Sequence, residues 1–242
     1  MDEKARDDYG DDVGQKVYTL TRQGKLWGKG GAIAWSRLRY KYLKAKGKEL
    51  EGLMALSSTY YTAWGNALAR ARQNWLLAIF WLPRAIWALC KALRLSDEVV
   101  GLKNMTVGQL DIRASILAAA FFRPGHYEDA LKCINEALSR SDICTDSLAL
   151  LKIKLGEIRD RQKADDGGIY FGEAQRMVSV KSDTRVRVLR ALGAHMLRRK
   201  KSRPVDYKIV AMSFCLEAMG IAKRENLGDQ IVKIRALMKK IR

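Results

Sequence analysis

Proline is scarce in this chain, three in 242 residues, and runs of Val and Thr are few. That argues against a sheet-rich fold, while long stretches of Ala, Leu, Lys, Arg and Glu predict an all-α one. Histidine is scarcer still. His126 and His195 have no Cys or Asp at the spacing of a nucleophile triad or a metal site, so both read as structural. The four cysteines, Cys90, Cys133, Cys144 and Cys215, form no CxxC pair; three lie in apolar helical patterns, where a thiol behaves as a small hydrophobe. Phosphate-loop and calcium-loop patterns are missing too. The first glycines of GKLWGKGG (Gly24 to Gly31) stand too close together for a Walker loop, and no Ser or Thr follows the lysine. DRQKADDGG (Asp160 to Gly168) lacks the alternation of a calcium loop. No catalytic residue, metal or cofactor is expected. The acidic start lacks the basic-then-apolar layout of a secretory signal, which predicts a reducing, cytoplasmic setting.

Acidic residues are the other shortage. Six of the first twelve residues are acidic, but from Val13 to Ser96 fifteen Lys/Arg face only Glu49 and Glu51. The formal charge of the whole chain is +19. A field of one sign attracts lipid headgroups, nucleic acid or acidic protein. All six tryptophans (Trp27, Trp35, Trp64, Trp75, Trp81, Trp87) fall in the same region, with Tyr40, Tyr42, Tyr60 and Tyr61. Tryptophan beside Lys/Arg is the residue mix of a membrane interface, where rings sit at headgroup level and cations meet anionic lipid. The mix also suits single-stranded nucleic acid and protein interfaces. The expected docking residues are Trp27, Trp35, Arg37, Arg39, Trp75, Phe80 and Trp81. A second basic run, RRKKSR, places Arg198, Arg199, Lys200, Lys201 and Arg203 in one turn that can meet phosphate.

A membrane span needs about 20 predominantly apolar residues. The most apolar stretch, RQNWLLAIFWLPRAIWALCKAL (Arg72 to Leu93), is interrupted by Pro83, Arg84 and Lys91. A cation at the centre of a span costs about 2.5–3.5 kcal/mol, so a single pass is disfavoured.

Self-similarity organises the rest of the chain. LAAAFFRPGHYEDALKCINEAL (Leu117 to Leu138) resembles one unit of the tetratricopeptide repeat (TPR) family, with Ala118, Gly125, Tyr127, Ala130 and Ala137 at its small and turn positions. WGNAL with AIWALCKAL, KLGEI with FGEAQRMVSV, and ALGAHM with AMSFCLEAMG repeat the skeleton. Gly65, Ala118, Gly156 and Gly193 are then the expected close contacts, because tight helix crossings need a missing side chain. GDQIVKIRALMKKI reads as a capping helix, and Ala32 to Leu50 as an extra helix ahead of the array.

The resemblance implies a right-handed α-solenoid of about four TPR-like helix pairs over residues 57–242. A loosely ordered tail (1–23) and a basic, aromatic helical segment (24–56) would precede it. It further implies a non-enzymatic adaptor whose concave groove holds the acidic or C-terminal peptide of a protein partner, through Asn66, Arg70, Arg123, Arg161, Arg190 and Arg198. Arginine's planar fork matches a carboxylate; the helix dipole favours cations at the same positions. In this register NWLLAIFW (Asn74 to Trp81) is surplus between the first pair's helices, and the segment from Pro83 is the second helix. The surplus either packs on the N-terminal helix or projects as a patch that binds something. The expectation is an adaptor that docks in a larger assembly or on an anionic membrane surface, at the inner face of a membrane. Association with RNA or DNA is the alternative.

Overall fold

The computed structural model describes residues 3–71, 75–99, 105–120, 125–141, 143–164, 166–178, 183–198 and 206–241. Among them all regular structure is α-helical. The chain divides into two compact units, residues 1–126 and 127–242.

Unit 1 holds α1 (Glu3–Arg22), α2 (Ala32–Ala45), α3 (Glu49–Ala71), α4 (Trp75–Glu98) and α5 (Val107–Ala119). α1 occupies the stretch expected to be a loosely ordered tail. Val13 and Leu20 on it are buried, and the helix packs on α2. Gly47, at φ +74°, ends α2, and the Lys48 amide donates back to the Leu43 carbonyl at 2.8 Å, a glycine-terminated helix end. The chain then turns into α3, which runs unbroken through the boundary expected at residues 56 and 57. α3 and α4 cross through small residues: Ala63 and Ala67 on one side, Ala85, Ala88 and Ala92 on the other, all buried. The Ser57 hydroxyl donates to the Ala92 carbonyl across this crossing at 2.9 Å. α5 starts at a capping box: the Thr106 hydroxyl accepts from the Gln109 amide, and the Gln109 side chain accepts from the Thr106 amide.

α4 departs from the sequence expectation. It does not divide at Pro83; one helix runs from Trp75 to Glu98 with Pro83 inside it. An interior proline removes one backbone hydrogen bond and costs about 3 kcal/mol in an isolated helix. Here Pro83 lies on the solvent side, where the carbonyl left without a donor can be satisfied from outside, and the buried alanines hold the helix to α3 on the other face.

Unit 2 holds α6 (His126–Leu138, beginning at the boundary), α7 (Thr145–Arg161), α8 (Gly167–Met177), α9 (Asp183–Arg198), α10 (Tyr207–Arg224) and α11 (Gly228–Ile241). Ala130 and Ala137 are buried on α6, and Ala211 and Ala218 on α10. α11 covers the α9–α10 pair with Ile234 and Ile241. The stretch that best resembles a repeat has its first helix, α5, in unit 1 and its second, α6, in unit 2.

Two of the expected close-contact glycines have opposite surroundings. A Cβ on Gly156 would lie 2.9 Å from two ring carbons of Phe171 and 3.0 Å from the Gly167 carbonyl oxygen. A Cβ on Gly65 would meet nothing within 4 Å, so the first pair does not cross there; Ala63 and Ala67 make the contact instead. Opposite signs follow for one substitution. Gly156→Ala is expected to destabilise by about 1–3 kcal/mol through overpacking, more than the roughly 1 kcal/mol gained in helix propensity. Gly65→Ala keeps only the propensity gain and stabilises by roughly 0.5–1 kcal/mol. Urea unfolding of both variants reads the difference; equal signs would refute these local packing assignments.

Candidate docking site on helix α4

The four turns of α4 from Leu76 have an inverted distribution of bulk. The face turned to α3 carries Ala85, Ala88, Leu89 and Ala92, mostly small. The face turned to solvent carries Leu76, Ile79, Phe80, Pro83, Ile86, Trp87 and Cys90, at the three- and four-residue steps that make one stripe along a helix. Ile79 is 61% exposed and Phe80 65%. A large side chain cannot enter the close crossing with α3, so the bulky apolar residues sit outside. Among the described residues α4 is the one helix long and apolar enough to cross a membrane; its segment Leu76–Glu98 has a mean hydropathy of 1.6 over its most apolar window.

An aromatic cluster forms the flank of this stripe. Trp27, from the turn before α2, lies 6.3 Å from Trp81 and 6.2 Å from Trp87, ring centre to ring centre. Trp87 meets the buried Tyr60 edge-on at 5.4 Å. Cations surround the cluster. The Arg70 guanidinium stacks over the Trp81 ring at 4.6 Å, and Arg84 lies 5.2 Å from the same ring; such cation–π contacts orient a planar fork. Arg37 donates from Nε to the Tyr60 hydroxyl at 2.9 Å. Two recesses open beside Trp27. One, of about 410 Å³, is lined by Lys25, Gly30, Arg70 and Trp81 among others. The other, of about 540 Å³, is lined by Lys29, Arg37 and Trp87. Among the described residues no acid lines either one, and the sequence of α4 has none before Asp97.

Of the docking residues expected from sequence, Trp27, Arg37, Phe80 and Trp81 therefore gather on one side of unit 1. Trp35 and Arg39 lie toward α1: Lys16 sits 5.9 Å from the Trp35 ring, and a Cβ on Gly14 would lie 3.2 Å from Arg39 Cζ, while the Arg39 guanidinium also pairs with Glu51 of α3 at 3.4 Å. Trp75 is the first residue of α4, and its side chain lies outside the description. Trp87, one of the six tryptophans of the basic region, is part of the exposed stripe.

Of the expected groove residues, Asn66 and Arg70 belong to unit 1, and Arg161, Arg190 and Arg198 to unit 2. Asn66 faces Gly24 of the chain's own lead-in turn, and Arg70 lies beside the same turn. Arg123 is outside the described residues, as are Arg199, Lys200, Lys201 and Arg203 of the basic run. Arg161 is exposed and Arg190 half-buried. Arg198 is engaged by a residue that sequence reasoning missed. Its Nε donates to Asp160 at 2.9 Å, and Nδ1 of His195 lies 2.8 Å from both oxygens of the same carboxylate. The Asp160 side chain is fully buried. Burial alone would push its carboxyl up; the hydrogen bonds and charges of His195 and Arg198 outweigh that and hold it below the ordinary carboxylate range. The enlarged turn before α8 is shaped around this group, since a Cβ on Gly167 would fall 2.5 Å from an Asp160 oxygen. Enclosed in this way, the Asp160–His195 pair ties α7 to α9.

No protein-family model matches this chain, and no curated protein and no solved structure gives a significant match to it.

Proposed function

We propose that the chain is a non-enzymatic, TPR-like helical-repeat adaptor that docks peripherally on an anionic membrane surface through the solvent face of α4. The observation that carries this reading is the continuous apolar stripe from Leu76 to Trp87, flanked by Lys25, Lys29, Arg37, Arg70 and Arg84 without an intervening acid. An exposed apolar row of this size is avoided on soluble monomers unless it binds something. Aliphatic side chains neither stack on bases nor pair with phosphates, so Leu76, Ile79 and Ile86 would stand idle against nucleic acid. Against a lipid interface they enter the acyl boundary while the cations meet headgroups.

The helix lies along the surface rather than across it. Its alanine face is packed on α3 through Ala92, and α3 carries Tyr60, Asn66 and Arg70. Among the described residues of unit 2 the exposed apolar side chains form no comparable row; Ile209, Val210 and Leu216 on α10 are interrupted by Lys208, Ser213 and Glu217. A cytoplasmic leaflet, negative through its anionic lipids, is the surface with the matching charge.

Co-sedimentation with phosphatidylcholine vesicles, with and without phosphatidylserine, tests the reading. Binding is expected only with the anionic lipid and is expected to weaken as salt rises toward molar concentrations. Binding to neither vesicle, in a chain with intact helical content, would sink it. Salt-sensitive retention on single-stranded nucleic acid would then favour the alternative.

A further inference from the structure

We propose that the recess between the Gly24–Gly31 turn, Arg70 and Trp81 binds the phosphate of a lipid phosphomonoester headgroup. The proposal rests on the docking reading above and names the headgroup chemistry that this surface selects. Four observations lead to it.

Among the described residues, the recess is lined by two cations, Lys25 and Arg70, and by no acid. Arg70 has no carboxylate partner among the described residues; its guanidinium is stacked on Trp81 instead. Stacking holds the plane of the fork and leaves its N–H groups to be satisfied at the edge. The turn itself is a tight structure rather than a loose tether. Gly28 adopts φ +89°, the Gly31 amide donates to the Gly28 carbonyl, and the Ala32 amide donates to the Lys25 carbonyl at 2.9 Å. A Cβ on Gly31 would lie 2.5 Å from the Trp27 carbonyl oxygen, so glycine is obligatory there. Of the residues between those bonds, Gly30 lines this recess, and its amide donates to no acceptor among the described residues, while Gly28 and Lys29 line the neighbouring one; a free amide in such a turn is a donor suited to an anion. Finally, the indole N–H of Trp27 is buried without a hydrogen-bond partner, which leaves a donor beside the recess waiting for an acceptor.

The position selects a lipid. Trp81 follows Ile79 and Phe80 in the same turn of α4, so a phosphate on Arg70 lies beside the stripe that enters the acyl boundary. The charge selects a monoester: at neutral pH it carries about −1.5 to −2, which two cations match, whereas a diester carries about one negative charge. GKLWGKGG, which fails as a nucleotide loop, thus acquires a different phosphate to bind.

The test uses the full chain and vesicles of phosphatidylcholine with either phosphatidic acid or phosphatidylserine, matched in surface charge. Phosphatidic acid is expected to bind at least about five-fold more tightly, the scale of one added charge-assisted hydrogen bond. In Arg70→Gln or Lys25→Gln both affinities fall, and the ratio between the two lipids collapses toward one. Arg70→Lys, which keeps charge but not the fork, retains only part of the ratio. Arg84→Gln lowers both affinities and leaves the ratio, because Arg84 does not line the recess. Equal binding of the two lipids by the native chain, or a ratio that survives Arg70→Gln, overturns the proposal. Should the chain ignore both vesicles, the docking reading falls, and titration with inorganic phosphate against matched chloride decides the recess by itself. Arg70-dependent shifts of the Trp27 and Trp81 indole N–H signals then uphold a phosphate site, and their absence removes it.

Discussion

The double substitution Ile79→Asp/Phe80→Asp is expected to lower affinity for anionic vesicles at least about 100-fold and to leave the fold unchanged. Burying one such side chain is worth roughly 1.5–3 kcal/mol, so losing two removes roughly 3–6 kcal/mol, or about two to four powers of ten in affinity. The two new carboxylates add repulsion from the anionic surface. Stability is expected to move little, because both positions are exposed and surface substitutions stay within about 0.5 kcal/mol. Arg84→Gln supplies the comparison. One cation near an anionic surface contributes about 1 kcal/mol, a loss of roughly five-fold. The two added charges account for about 2 kcal/mol on the same scale, so a loss from the double substitution well beyond that means that apolar insertion dominates and electrostatics steers. Co-sedimentation of the three proteins, with far-UV circular dichroism as the control for folding, gives the ranking. Undiminished binding by the double variant would refute docking through α4.

The side of α4 that would do this work was half legible in the sequence. Ala85 and Ala92, seven residues apart, mark the face that packs on α3, and periodicity alone finds them because small residues at that step make a helix crossing. What periodicity could not supply was the continuity of α4 through Pro83. Proline reads as a boundary in an isolated helix, but here tertiary packing on one face and solvent on the other tolerate it. α1 was missed for a different reason. Its five acids suggested a tail, yet Val13, Val17 and Leu20 already form an apolar line at helical spacing. Gly65 misled because small residues recur on α3 in two registers, and only the contacts distinguish Ala63 and Ala67 from it. Arg198 looked like a groove residue because nothing local points to its partner. Asp160 lies 38 residues away from it and 35 from His195, separations that no short motif records.

That hidden carboxylate is where the largest loss of stability is expected. Asp160→Ala is expected to destabilise unit 2 by roughly 3 kcal/mol, the lower end of what removing one partner of a buried ion pair costs. The lower end applies because the Arg198 side chain is 34% exposed and can turn its charge to water, whereas His195 is buried and keeps an unsatisfied ring nitrogen. Asp160→Asn preserves the volume and one acceptor for His195 but not the charge facing Arg198, so its position between native and Ala separates packing from charge. The pH dependence has a definite sign. The folded pKa of Asp160 is depressed below the unfolded value of about 3.9. Its stabilisation is therefore complete above that value and is lost as pH falls through the folded pKa. The difference between native protein and Asp160→Ala should therefore shrink as pH falls below about 4. The six tryptophans all lie in unit 1, so their fluorescence does not report local unfolding of α7 to α9. Urea unfolding followed by far-UV circular dichroism, with amide exchange over α7 and α9, carries the measurement. An unshifted midpoint, or a gap that persists undiminished at pH 3, would show that the Asp160–His195–Arg198 contact contributes no charge-dependent stability.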